Sequence, residues 1–258
     1  MTKFLFVAGL HRSGTSLIHK AIAQHPEVSG FFGTGVPEDE GQHLQSVYPP
    51  DDTYGGPGKF GFHPGSAFDE GSLLINPANR EKLIQEWSKH WDMSKPVLIE
   101  KSPPNLTKTR FLQALFPESY FLIILRHPVA VSLATHKWSR SLLFDLFRHW
   151  VVAHRRFESD QPHLKKCLVI KYEDFVADQS TLLNQIFEFI QLEPYQQSIY
   201  QASEVHNQKY YQRWHELKAK PLYGIYLNFL SGLFEKDLKH FGYSFHDIED
   251  RLASSAGH

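Results

Sequence analysis

Four short apolar runs punctuate the chain: Phe4 to Ala8, Val97 to Ile99, Tyr120 to Leu125 and Cys167 to Ile170. None alternates apolar with polar residues, so each predicts a strand buried on both faces, as in a parallel sheet covered by helices. Elsewhere the apolar positions fall three and four apart. Thr15 to Gln24, Pro77 to Trp91, Leu106 to Leu115, Val129 to Trp138, Leu142 to Ser159, Ser180 to Ile190 and Tyr223 to Phe241 are the predicted helices. Asn76 before Pro77 supplies a cap and a residue suited to the first helical position. Strand alternating with helix predicts an α/β fold, a doubly wound, mainly parallel sheet with helices on both faces.

Two segments break the pattern. Residues 49 to 72 are rich in Gly, Pro and Asp and predict an irregular excursion on the acceptor side of a binding site, with Tyr54, Phe60, Phe62, His63 and Phe68 as its aromatic positions. Residues 194 to 221 are polar and aromatic and are expected to form a lid-like segment. With 258 residues and 41% hydrophobic side chains, the chain is expected to form one domain, 1–258, with a substantial core. A net charge of -1 and a pI near 7.0 lack the basic footprint of a nucleic-acid binder, so any anion site must be local. The lone cysteine, Cys167, excludes an internal disulfide and suits a reducing compartment. The apolar start MTKFLFVAGL runs into His11 and Arg12, with no cleavage site, and no window is long enough to span a membrane. A cytoplasmic protein is expected.

Chemistry concentrates where the strands end, which in open α/β sheets is where ligands bind. The first run exits through Gly9-Leu-His-Arg-Ser-Gly-Thr-Ser16, the second through Glu100-Lys-Ser102, the third through Arg126-His127 and the fourth through Lys171-Tyr-Glu-Asp174. Gly9 and Gly14 have the spacing of a phosphate-binding P-loop, in which glycines let backbone N–H groups face an anion at a helix start. A tight strand-to-helix turn would use the same glycines. Thr15 stands where a nucleotide kinase would carry lysine, and the loop's positive charge is Arg12 instead.

Three segments in this order, Arg12-Ser-Gly-Thr-Ser16, Ile124-Leu-Arg-His-Pro128 and Tyr172-Glu-Asp-Phe175, resemble the P-loop sulfotransferases, closest in style to the tyrosylprotein and glycan branches. The resemblance implies a P-loop NTPase-like fold. It also implies transfer of a sulfuryl group from 3′-phosphoadenosine 5′-phosphosulfate to an acceptor hydroxyl, leaving adenosine 3′,5′-bisphosphate. On it, Arg12, Ser13, Gly14, Thr15 and Ser16 would hold the 5′-phosphosulfate and Arg126 the 3′-phosphate, whose oxygens a planar guanidinium can pair two at a time. Ser132 is the expected hydroxyl partner of Arg126, although many members place this serine two residues later, where this chain has Ala134; Thr135 is the alternative. Lys101 matches a lysine near the sulfuryl group, where a cation would offset charge on the bridging oxygen. Lys209 and Tyr210 would close over the nucleotide.

A base must take the acceptor's proton, and Pro37-Glu-Asp-Glu-Gly-Gln-His43 offers Glu40 first, then Glu38, with His43 as alternative. The acids would equally suit a helix amino terminus. No metal is expected, since the 16 histidines include no HExxH spacing and sulfuryl carries less charge than phosphoryl. The acceptor is expected to be a glycan or other small molecule, with a tyrosylprotein acceptor or a divergent P-loop kinase as alternatives. The partners expected include no nucleic acid, and the sequence carries no signal for oligomeric state.

Overall fold

The computed structural model describes residues 2–195 and 205–248. Five strands, β1 (Lys3–Gly9), β2 (Val28–Ser29), β3 (Val97–Lys101), β4 (Tyr120–Leu125) and β5 (Cys167–Lys171), form one parallel sheet in the order β2-β3-β1-β4-β5. The sheet is flanked by helices, the α/β architecture that the sequence pattern predicts. Central β1 pairs Phe6 with Glu100 of β3 and with Phe121 of β4, so the ends of β1, β3 and β4 open side by side.

Successive side chains on a strand point to opposite faces, and here both faces are apolar. Leu5 and Val7 pack into one core with Ile18 and Ile22 of α1 (Thr15–Ile22), together with Ile186 and Phe187 of a helix over Gln179–Phe189. Phe6 and Ala8 enter the other core, where Phe6 meets Phe121, Phe116 and Trp87 with ring centroids 5.6, 5.5 and 6.3 Å apart. Trp87 ends α2 (Pro77–Trp87), which Asn76 caps by accepting from the Asn79 N–H. The second core is closed by α3 (Thr109–Leu115), α4 (Pro128–Ser139) and α5 (Leu143–Asp160).

Several boundaries differ from expectation. β2 was not anticipated, because two residues carry no readable period. The helix expected from Leu106 starts at Thr109, since Pro103 to Thr107 form a 3₁₀ turn that Pro103 and Pro104 favour by lacking N–H donors. The helices α1 and α2 stop short at Ile22 and Trp87. After β5 the chain turns at once into α6 (Tyr172–Ala177), followed by α7 (Gln179–Phe189).

Part of the segment expected to be lid-like lies within the described residues. Val205–Lys218 is a helix, α8, whose Tyr210, Tyr211, Trp214 and Leu217 are buried at helical spacing against the second core. Residues 196–204 lie outside the described residues. The last helix, α9 (Pro221–His240), packs Leu227, Leu230, Phe234 and Leu238 inward. Residues 49–72 are irregular as expected, with 3₁₀ turns at Asp51–Tyr54, Phe60–Phe62 and Pro64–Ser66. Their rings serve packing: Phe60 is fully buried against His149, and Phe68 meets Phe111 at 5.4 Å. Among the described residues no helix is long and apolar enough to cross a membrane.

Phe6 anchors the aromatic cluster from the central strand. Phe6→Ala is expected to lower the free energy of unfolding by about 3–5 kcal/mol, read from the shift in urea midpoint at constant slope.

Candidate active site

The end of β1 turns through a loop whose backbone is left-handed twice, at Arg12 (φ 68°) and Gly14 (φ 98°). The Ser13 N–H closes the turn on the Leu10 carbonyl at 3.0 Å. Gly14 stands at the start of α1 and caps it with no side chain, so the first-turn N–H groups keep the donor capacity that an anion at a helix start uses. Position 14 needs glycine for two reasons, its positive φ and the Tyr172 ring, which occupies the space a Cβ would enter.

Arg126, at the end of β4, is 7% exposed and held from several sides. Its Nε and Nη2 donate to Asn207 Oδ1 at 2.8 and 2.6 Å, and its Nη1 donates to the Arg12 carbonyl at 2.7 Å. The guanidinium lies over the Tyr172 ring, 4.1 Å from its centroid. Asn207 in turn donates to Glu173 Oε1 at 2.9 Å, and Glu173 also accepts from the His127 N–H and the Tyr243 hydroxyl, both at 3.0 Å. Helix α8, expected to be a lid, therefore braces the cation from within the fold.

The acidic segment crosses above β3. Glu38 and Asp39 take left-handed φ values of 51° and 50°, a conformation unusual for side chains of this kind. Asp39 Oδ1 compensates by accepting from the Thr34 N–H and hydroxyl at 2.8 and 2.7 Å. Lys101 Nζ donates to the Glu38 carbonyl at 2.6 Å and lies 3.5 Å from Glu40 Oε1. Glu40 is 4% exposed, and burial pushes its carboxyl up to about 7; Lys101 and a hydrogen bond from Gln42 oppose that rise, while Asp51 and Glu100 add to it. Glu100 is fully buried, bonded to Ser102 and Asn105, and also raised to about 7 by burial.

Sequence reasoning overlooked His11 although it lies inside the loop. Its Nε2 is 3.4 Å from Asp51 Oδ2, and burial, followed by the charge of Lys101, lowers its pKa to about 3, so the ring is neutral near pH 7. A histidine directly before the loop arginine was the available signal.

These groups surround a cleft of about 340 Å³. Arg12, Gly14, Thr15, Ser16, Glu38, Glu40 and Arg126 line it together with His11, as do Trp138 and Tyr172, which the sequence had not singled out for contact. Arg12 rests on the Trp138 ring at 4.5 Å. Ser16 Oγ donates to Glu38 Oε2 at 3.2 Å, joining loop and acidic turn. The other expected residues are placed elsewhere. Ser13 is buried within the loop. Lys101 is buried behind Glu40, and the half-buried His43 is not among the lining residues. Ser132 and Thr135 line a separate cavity of about 10 Å³ with His11 and His149, and no hydrogen bond to either hydroxyl forms among the described residues. Tyr210 is buried with its ring 5.8 Å from Arg126, whereas Lys209 is exposed beside that ring. Among the described residues no cluster of three or more His, Cys, Asp or Glu has the arrangement of a metal site.

A family model described as "Sulfotransferase family" matches residues 5–197, a stretch that includes the loop, Glu40 and Arg126 and ends before α8. Among solved structures, a sulfotransferase from Alicyclobacillus acidocaldarius is similar at 15% identity, covering 96% of this chain and 95% of its own, with a TM-score of 0.51. A sulfotransferase from Mycobacterium avium is similar at 13% identity, covering 94% of this chain and 78% of its own, with a TM-score of 0.54. At such identities the likeness bears on the fold.

Glu173 satisfies three buried donors at once. Glu173→Ala is expected to destabilise the protein by about 3 kcal/mol or more, because each orphaned group carries its own desolvation cost, and thermal unfolding checks it.

Proposed function

The chain belongs to the sulfotransferase family, and we propose that it transfers a sulfuryl group from 3′-phosphoadenosine 5′-phosphosulfate to an acceptor hydroxyl, with Glu40 as the base. One observation carries this reading: a left-handed loop at a helix start, an arginine held at the neighbouring strand end and a buried carboxylate all line the same cleft. Bound there, the donor supplies an activated sulfuryl group and leaves as adenosine 3′,5′-bisphosphate. The loop from Arg12 to Ser16 would hold its 5′ end through backbone N–H groups, the hydroxyls of Thr15 and Ser16 and the Arg12 guanidinium. Arg126 would hold the 3′-phosphate, with Tyr172 stacked beneath it. Ser132 faces a different cavity, which favours other groups for that contact.

Glu40 would accept the proton that the acceptor oxygen loses as it bonds to sulfur and the sulfur–oxygen bond to the leaving phosphate breaks. A carboxyl with a pKa near 7 is well matched to this task, since it is both substantially ionised and basic at neutral pH. Lys101, bonded to the Glu38 carbonyl, would act on Glu40 by favouring its ionised form. The acceptor is proposed to be a glycan or another small molecule. None of Tyr54, Phe60, Phe62, His63 and Phe68 lines the cleft, so its recognition would fall to other residues.

Calorimetry with adenosine 3′,5′-bisphosphate without metal, alongside ATP with magnesium, tests the donor. The bisphosphate is expected to bind and ATP to bind far more weakly; the reverse preference would indicate a kinase. Arg126→Ala is expected to weaken bisphosphate binding by about 10- to 100-fold, the worth of a charged hydrogen-bonding partner. A labelled-donor assay against glycans, phenols and tyrosine peptides identifies the acceptor. On the best acceptor, Glu40→Gln is expected to lower kcat by about 100-fold or more while keeping bisphosphate affinity. Because the base works only when ionised, wild-type kcat/KM should fall about tenfold per pH unit below a limb near 7 and level off above it.

A further inference from the structure

Gln42 has no part in the reading above, yet its side chain sits between two buried carboxylates. It is 2% exposed. Its Nε2 donates to Glu40 Oε2 at 2.7 Å and to Asp51 Oδ1 at 2.9 Å, while its Oε1 accepts the Asp51 N–H at 3.0 Å. An amide can be turned over, but only one orientation works here. Reversed, its oxygen would face both carboxylates and its NH₂ would face a backbone donor.

The backbone at this position is fixed as firmly. The Gln42 N–H donates to Ser102 Oγ at 2.9 Å, and that hydroxyl donates to Glu100 Oε1 at 2.5 Å. The preceding Gly41 packs so closely on Glu100 that any Cβ would run into its carboxylate. The segment that carries Glu40 is thus pinned to the end of β3, and Gln42 is the pin that reaches the Glu40 carboxylate itself.

We propose that Gln42 is a positioning residue for sulfuryl transfer, its amide holding the Glu40 carboxylate in one orientation and linking it to the Asp51 carboxylate beside His11. This rests on the reading of Glu40 as the base. The charged and titratable groups acting on Glu40 are Lys101 and Glu100 from β3 and Asp51 from the excursion, with His11 reached through Asp51, and Glu38, Arg12 and Arg126 line the same cleft. Glu100 and Asp51 oppose ionisation of Glu40; Lys101 and the Gln42 amide favour it. A neutral amide suits this position because it orients the carboxylate without adding a second cation, which would make it a weaker base.

The test uses the full chain, its best acceptor and two variants. Gln42→Met keeps the length of the side chain and removes its hydrogen bonds; Gln42→Glu keeps the shape and adds a third carboxyl. In Gln42→Met the acidic limb of kcat/KM should move up by about one pH unit, the worth of one hydrogen bond to a charged group, and the rate at pH 7 should fall about fivefold. Gln42→Glu should move the limb further in the same direction. Bisphosphate affinity, which reports folding and the donor loop, should stay within about twofold of wild type in both. If both variants keep the wild-type limb while Glu40→Gln loses turnover, Gln42 does not position the base. If Glu40→Gln itself turns over normally, the base assignment fails, and the role given to Gln42 fails with it.

Discussion

Three ionisable side chains, Glu100, Lys101 and Arg126, leave the ends of buried strands with almost no access to water, at 0%, 1% and 7% exposure. A charge in such a place is tolerated only if the surrounding chain supplies partners for it. The partners of Glu100 are local, and those of Lys101 and Arg126 come from distant segments. Glu100 draws in Ser102 and Asn105, Lys101 draws down the acidic turn through the Glu38 carbonyl, and Arg126 takes Asn207 from α8 and the Arg12 carbonyl from the loop. The cleft is what these demands leave between them, so the loops around it are shaped by the charges beneath as much as by any ligand.

Two neutral amides mediate between the charges. Gln42 donates to Glu40 and Asp51, two buried groups whose charges repel one another. Asn207 accepts from Arg126 and donates to Glu173, separating a cation from an anion that would neutralise it by direct pairing. In both cases an amide supplies direction without net charge.

The sheet was legible because β1, β3, β4 and β5 are apolar on both faces, and the loop was legible because glycine spacing is a local signal. The pairings that hold the cleft were not. Asn207 lies 81 residues from Arg126, and Ser102 lies 60 from Gln42; no period or short motif links positions so far apart. For α8 the signal existed in Tyr210, Tyr211, Trp214 and Leu217, whose spacing is helical, but surrounding polar residues masked it.

The Tyr172 ring fills the space a side chain at position 14 would need and at the same time stacks on Arg126. The guanidinium is therefore tied to the loop at two points, through the ring that packs against Gly14 and through the Arg12 carbonyl it bonds at 2.7 Å. The cleft has a fixed gauge. A ligand with two anionic groups would be selected by the distance between them rather than by total charge, and binding would require little rearrangement, since the spacing is already built into the protein.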